Sequence, residues 1–476
     1  MSVRKIFAPG LLALAVLAAL AAMTALAPAA RAQSPGDIFP YKVHETTLDN
    51  GMQVVVIPYD SPGTVAYYTV VRTGSRDEVE AGHSGFAHFF EHMMFRGTEK
   101  YSQDAYNDVL KRMGADSNAF TADDQTVYHM VGPASELDTM MDMESDRFKN
   151  LKYTEDAFRT EALAVLGEYN KSASNPFLPM FDKLRDLAYQ KHTYKHSTLG
   201  FLADIKAMPG YYQYSLEFFN RFYRPENVTL LVVGDAQPEK VVAMAKQYYG
   251  DWKKGYQAPK IVAEPPQTEA KKGHLDWPSP TRPYLMAGYH MPAFSTDNPD
   301  AAALSLVGQL LFSESAPLYQ ELVVDKQWVD FIGGDADFHR DAYLFSFFSR
   351  VKSEDLVPKV KETVDRYIAE LAAKPVDPKR LERIKSHLRY DFALGLDTPG
   401  AVANQAATAI AVAGDVGALN RLYQQYDKVT PADIQRVARE VFKPQNETYV
   451  TLSYKAPAGS TEKPGAPGSQ GGADHD

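Results

Sequence analysis

Apolar residues recur along this chain with two different periods, and their order predicts strands and helices intermixed. Gln53–Tyr59 and Thr64–Arg72 are rich in Val, Ile, Tyr and Thr and read as strands. A helix follows near residue 88. Ser102 caps a further helix that runs to Met113, where Gly114 is a natural terminator. Ser117–Val131 reads as one or two strands, Ser135–Leu151 and Thr154–Lys171 as helices, and Val228–Gly234 as a buried strand entered through a turn at Pro225. Phe218, Phe219, Phe222 and Tyr223 stand at helical spacing and read as core. Strands and helices do not alternate strictly, which favours an α+β architecture over a doubly wound sheet.

The pattern returns at an offset of 219 residues. Phe222-Tyr223-Arg224-Pro225-Glu226-Asn227-Val228-Thr229 answers Val441-Phe442-Lys443-Pro444-Gln445-Asn446-Glu447-Thr448, and Leu137 with Asp146-Arg147-Phe148 answers Leu356 with Asp365-Arg366-Tyr367. Two separate matches at one offset predict two homologous mixed α/β sandwich domains. The expected division is a leader over 1–32, a first domain over 33–252, a linker over 253–280 rich in Pro, Lys and Gln, a second domain over 281–455, and a disordered tail over 456–476.

Composition narrows the setting. Arg4 and Lys5, an Ala/Leu-rich run from Leu11 to Leu26, and Ala30-Arg31-Ala32 form a secretory signal with a small-residue cleavage site, so a periplasmic location is expected. Removing its three basic residues, Arg4, Lys5 and Arg31, takes the net charge from −10 to −13. That sign argues against nucleic acid as a partner. There is no cysteine, which excludes disulfides and lipid attachment through a thiol. No other stretch reads as a membrane span, so no membrane association is expected after cleavage of the signal.

The chemistry lies in His88-Phe89-Phe90-Glu91-His92. On a helix, His88 and His92 share a face and can grip one metal ion from consecutive turns, with Glu91 alongside to act on a metal-bound water. Two imidazole donors suit Zn2+, and the order His-x-x-Glu-His is the inverted form of the commoner zinc-peptidase motif. A third ligand is needed, and Glu161 and Glu168 stand two turns apart on the helix Thr154–Lys171. One of them could bind the metal while the other orients a ligand, and spacing alone leaves the choice open. At the repeat offset, positions 88, 91 and 92 become Val307, Leu310 and Leu311, so only the first half can carry a metal.

With these residues the chain resembles the pitrilysin (insulinase-like) zinc peptidases over nearly all of its mature length. The likeness includes Gly97-Thr98 after the motif, Ser117-Asn118-Ala119-Phe120-Thr121, and Tyr223-x-Pro225-x-Asn227 leading to Val233-Gly234-Asp235. It implies a fold of the LuxS/processing-peptidase type and one Zn2+ per chain held by His88, His92 and Glu168. Glu91 would then be the general base and Glu161 a supporting acidic residue. It also implies that Ser117, Asn118, Ala119 and Phe120 form an exposed strand that pairs with a peptide or unfolded substrate. The remaining histidines, among them His83, His129, His192, His196, His290, His339 and His387, have no ligand spacing, and Asp123, Asp124 and Asp251 read as turn residues.

The resemblance also brings an expectation about partners. Active relatives add an Arg and a Tyr from the second domain, but here Val323 and Asp330 stand at those places. A valine donates no hydrogen bond and an aspartate repels an oxyanion. A zinc-less paralogous subunit supplying the pair is therefore expected, as a heterodimer. The alternatives are a peptidase that processes particular precursors and a non-catalytic assembly subunit.

Overall fold

The computed structural model of the protein describes residues 37–456 and the backbone of residues 29–30. The expected leader, apart from those two residues, and the tail beyond Ala456 lie outside the described residues. Two sheets organise the rest. The first contains β1 (Ala29–Ala30), β2 (His44–Thr47), β3 (Gln53–Pro58), β4 (Thr64–Val71), β5 (Asp116–Thr121), β6 (Thr126–Pro133) and β7 (Val228–Gly234). The second contains β8 (Lys271–Trp277), β9 (Tyr284–Met291), β10 (Val329–Ala336), β11 (Tyr343–Val351) and β12 (Glu447–Tyr454). Their orders are β1-β2-β3-β7-β4-β6-β5 and β10-β11-β9-β12-β8. In each sheet one pair is parallel, β3 with β7 and β8 with β12, and the others are antiparallel.

Six helices matter for the site and its support: α1 (Phe86–Met93), α2 (Leu137–Asn150), α3 (Glu155–Ser172), α4 (Phe177–Ala188), α5 (Asp300–Phe312) and α6 (Pro399–Ala413). The expected strand and helix pattern of the first half is present, with Ser117–Val131 resolved into β5 and β6. The helix Gln103–Met113 begins where the Ser102 hydroxyl accepts from the Ala105 N–H at 3.3 Å and ends at Gly114, whose φ is 66°.

Two expectations need correction. The segment 253–280 is not a linker throughout, because 271–277 forms β8 and pairs along its whole length with β12. Its residues alternate only between half-buried and exposed, so no apolar stripe announces the strand. Among the described residues one helical stretch, Asp300–Asp325, is long and apolar enough to cross a bilayer, contrary to expectation. It is a core helix: 72% of its most apolar window is buried within the protein.

Each half lends a helix to the other. α4, from the first half, packs on the second sheet, where Met180, Leu184 and Ala188 join a core with Leu285, Tyr289 and Leu452. A Cβ at Gly273 of β8 would stand 2.8 Å from Leu187 Cδ1, so a side chain there would displace the tip of Leu187. α6, from the second half, covers the first sheet: Val402, Ala403, Ala406 and Ile410 close on Val55, Ile57, Tyr68 and Leu231. The opposite face of that sheet carries α1 and the main core of the first half. Val307, Leu310 and Leu311 are buried in α5, as expected of an apolar helix without metal donors.

Candidate metal centre and active site

α1 is a short helix held from both sides. Its first turn is anchored by the buried Glu78, whose carboxylate accepts from the Gly85 N–H at 2.7 Å and the Ala87 N–H at 2.6 Å. Gly85 enters the helix with φ 91°, and a Cβ there would lie 2.4 Å from Ile205 Cδ1. Phe86, Phe89 and Phe90 face the core, which turns His88, Glu91 and His92 toward α3 and β5.

The donor atoms of His88, His92 and Glu168 lie within 4.8 Å of one another. Glu168 Oε1 is 3.7 Å from His88 Nε2, and Glu168 Oε2 is 3.2 Å from His92 Nε2. Ligand atoms about 2.0–2.2 Å from a tetrahedral Zn2+ are separated by roughly 3.3–3.6 Å, so donors within 4.8 Å of one another need to close by only about an ångström to hold the ion. The geometry thus brings Glu168 rather than Glu161 to the two imidazole nitrogens. Burial holds the His88 imidazole down at about 3, aided by the neighbouring His92, so the ring is neutral and its approach to Glu168 is not an ion pair. The His88 Nδ1 is buried and has no hydrogen-bond partner among the described residues.

Glu161 takes the other role. Its Oε1 lies 2.8 Å from His92 Nδ1, which fixes the tautomer that leaves the Nε2 lone pair free. That hydrogen bond raises the His92 pKa despite burial. Burial would raise the Glu161 carboxyl, but the hydrogen bonds from His92 and Arg96 outweigh it and hold the pKa below its ordinary value.

Glu91 faces the same space. Its Oε2 accepts from the Thr121 hydroxyl at 2.7 Å. Burial raises its pKa, with the Thr121 bond and the His92 charge pulling the other way. A carboxylate above its usual range is better placed to take and return a proton near neutrality. A cleft of about 270 Å³ lies beside it, lined by Glu91, His92, Phe95, Arg96, Gln103 and Glu161.

β5 is the free edge of its sheet. Ala119 joins the core on the metal side, Phe120 packs toward α6, Asn118 is exposed and Ser117 is half-buried. An edge of this kind can accept a further strand. Val323 packs half-buried against the second core, and the Asp330 carboxylate is bound by Arg282 and, at 2.7 Å, by Arg350. Neither joins the group around His88.

Three features were not legible as site residues: Thr121 as a partner of Glu91, Arg96 as a partner of Glu161, and Glu78 as the anchor of α1. Asp123 and Asp124 are turn residues as expected, but they do more than turn the chain. They lie between β5 and β6, but both are buried and bind groups from both halves. Asp123 accepts from Arg185 at 2.9 and 3.1 Å and from the Tyr343 hydroxyl at 3.2 Å. Asp124 meets His339 Nδ1 at 3.0 Å and the Tyr194 hydroxyl at 2.8 Å. Asp251 instead pairs with Lys149 at the surface, and His83 packs against Tyr211 and Tyr214.

Comparison with known proteins agrees with this geometry. Residues 54–201 match the family model described as insulinase (peptidase family M16), and residues 212–388 match the peptidase M16 inactive domain. The chain is 28% identical over 435 residues to the zinc protease PqqE of Helicobacter pylori, covering 86% of this chain and 92% of that one. It is 25% identical over 426 residues to a probable mitochondrial-processing peptidase subunit beta of Schizosaccharomyces pombe, covering 84% and 89%. It is also 26% identical to the mitochondrial cytochrome b-c1 complex subunit 1 of Caenorhabditis elegans, covering 83% and 85%. Among solved structures, a protease from Helicobacter pylori superposes with a TM-score of 0.82 at 27% identity, covering 87% of this chain and 99% of the other.

Proposed function

Because the chain belongs to the insulinase (M16) family of peptidases, we propose that it is a zinc-dependent endopeptidase acting on peptides or unfolded polypeptides in the periplasm. The observation that carries this reading is the convergence of His88, His92 and Glu168 beside a carboxylate, Glu91, held by Thr121. His88, His92 and Glu168 would hold one Zn2+. When bound, the ion supplies electrophilic activation of a water and of the scissile carbonyl. Glu91 accepts the proton of the attacking water and returns it to the leaving amine. Glu161 keeps His92 in its ligating tautomer. Ser117, Asn118, Ala119 and Phe120 on the edge of β5 align the substrate main chain.

The five strands β3–β7 lie in the same order as β8–β12, β5-β6-β4-β7-β3 against β10-β11-β9-β12-β8, and this order with the 219 residues between the starts of β7 and β12 supports a duplicated domain of the LuxS/processing-peptidase type. The leader over residues 1–32 supports export. A zinc-less paralogous subunit completing the site is supported by Val323 and by the ion-paired Asp330, which leave this chain without an oxyanion donor there. The relatives named as subunits of larger assemblies are in keeping with it.

The cytochrome b-c1 relative favours a second reading, a non-catalytic assembly subunit. The retained donor set weighs against it. Metal analysis together with cleavage of a quenched peptide separates the two. The purified chain, with its paralogue added, should hold one zinc and cleave; Glu91→Gln should hold zinc and not cleave. A chain that takes up no zinc would remove the peptidase reading. Full turnover by the chain alone would remove the partner.

A further inference from the structure

We propose that Arg96 is a positioning residue for the metal centre, acting on His92 through Glu161. The inference rests on the peptidase reading above and deepens it. Arg96 follows α1 by one turn, and its side chain returns toward α3. Its Nε donates to Glu161 Oε2 at 2.5 Å, and a terminal nitrogen of the same guanidinium donates to the same oxygen. The other terminal nitrogen donates to Gln103 Oε1 at 3.1 Å, at the start of the helix Gln103–Met113.

The two oxygens of Glu161 are thereby divided. Oε2 belongs to Arg96 and Oε1 to His92. Glu161 is only 4% exposed, and burying a carboxylate without a cationic partner is costly. Without Arg96 nothing holds Glu161 Oε2 in place, and a carboxylate that swings toward solvent no longer accepts from His92 Nδ1. His92 would then be free to rotate or to carry its proton on Nε2, the atom that faces Glu168 at 3.2 Å. A lysine is a point charge on a flexible stem and cannot direct two parallel donors at one oxygen, so it substitutes in part only. Gln103 fixes the far side of the guanidinium and so sets its plane.

The experiment measures zinc affinity by chelator competition on the intact chain, with thermal unfolding of the metal-free protein as control. Wild type must bind zinc; if it does not, the peptidase reading fails and Arg96 is not in question. Given binding by wild type, Arg96→Met should weaken zinc affinity by about 10- to 100-fold. Arg96→Lys should lie between, and Gln103→Ala should show a smaller loss. In a Glu161→Gln background, Arg96→Met should add nothing further, because its route to His92 is already cut. Zinc affinity within about twofold of wild type in Arg96→Met would overturn the proposal, as would losses that simply add in the double variant. Should Arg96→Met fail to fold, Arg96→Lys decides in its place: an unchanged affinity overturns the proposal and a partial loss supports it.

Discussion

Glu91 is pulled two ways, and the balance sets how well it can serve as a base. Burial favours its protonated form, while the Thr121 hydroxyl favours the carboxylate and fixes one oxygen. Thr121→Val keeps the volume and removes the hydrogen bond, so turnover should fall about tenfold with little change in KM, and Thr121→Ser should retain most of it. Steady-state kinetics on a quenched peptide check this. The residues of the proposed centre were legible in the sequence because helical spacing places His88, Glu91 and His92 on one face. The partners were not: Arg96 and Glu161 are 65 residues apart, and no local pattern pairs them. The same holds for Asp123 and Asp124, whose turn position was readable but whose partners Arg185 and His339 come from remote segments.

At the scale of elements, α1 is fixed by its entry rather than by its length. Gly85→Ala would strain a φ of 91° and drive a methyl group into Ile205, so α1 should shift and zinc uptake should fall in metal titration, with most of the fold intact. α6 acts as the cover of the first sheet. Ile410→Ala would open a cavity against that sheet and should destabilise the protein by about 2–5 kcal/mol in urea unfolding. The helices and central strands of the first half were readable from apolar period. β8 was not, because it packs at a sheet margin with Lys, Gly and His among its residues and shows no buried stripe. The exchange of α4 and α6 between the sheets was equally hidden, since periodicity reveals that a helix has an apolar face but not which surface receives it.

Across the whole molecule, the exchanged helices and the Asp123–Arg185 and Asp124–His339 pairs tie the halves into one cooperative unit. Arg185→Met would strand a buried carboxylate and should cost about 3–5 kcal/mol, read from the shift of a single unfolding transition. The pH dependence has two limbs. Burial opposes ionisation of Asp123, but Arg185 and His339 hold its pKa at about 2, below the ordinary 3.8. Its contribution, about 2 kcal/mol, is therefore present above pH 4 and is lost as the pH falls through 2. Burial would lower the His339 pKa, but its bonds to Asp124 and Asp337 raise it to about 10 from 6.5. That stabilisation is complete below pH 6.5 and is lost as the pH rises through 10. The melting temperature should fall at both ends, and His339→Gln should flatten the alkaline limb.

The crossing of α6 onto the first sheet also bears on how such a chain can evolve. The second half contributes none of the proposed metal donors, yet it is the roof over the sheet of the half that does. Deleting it would lay bare the greasy underside of that sheet. Gene fission at residue 253 should therefore yield two insoluble remnants.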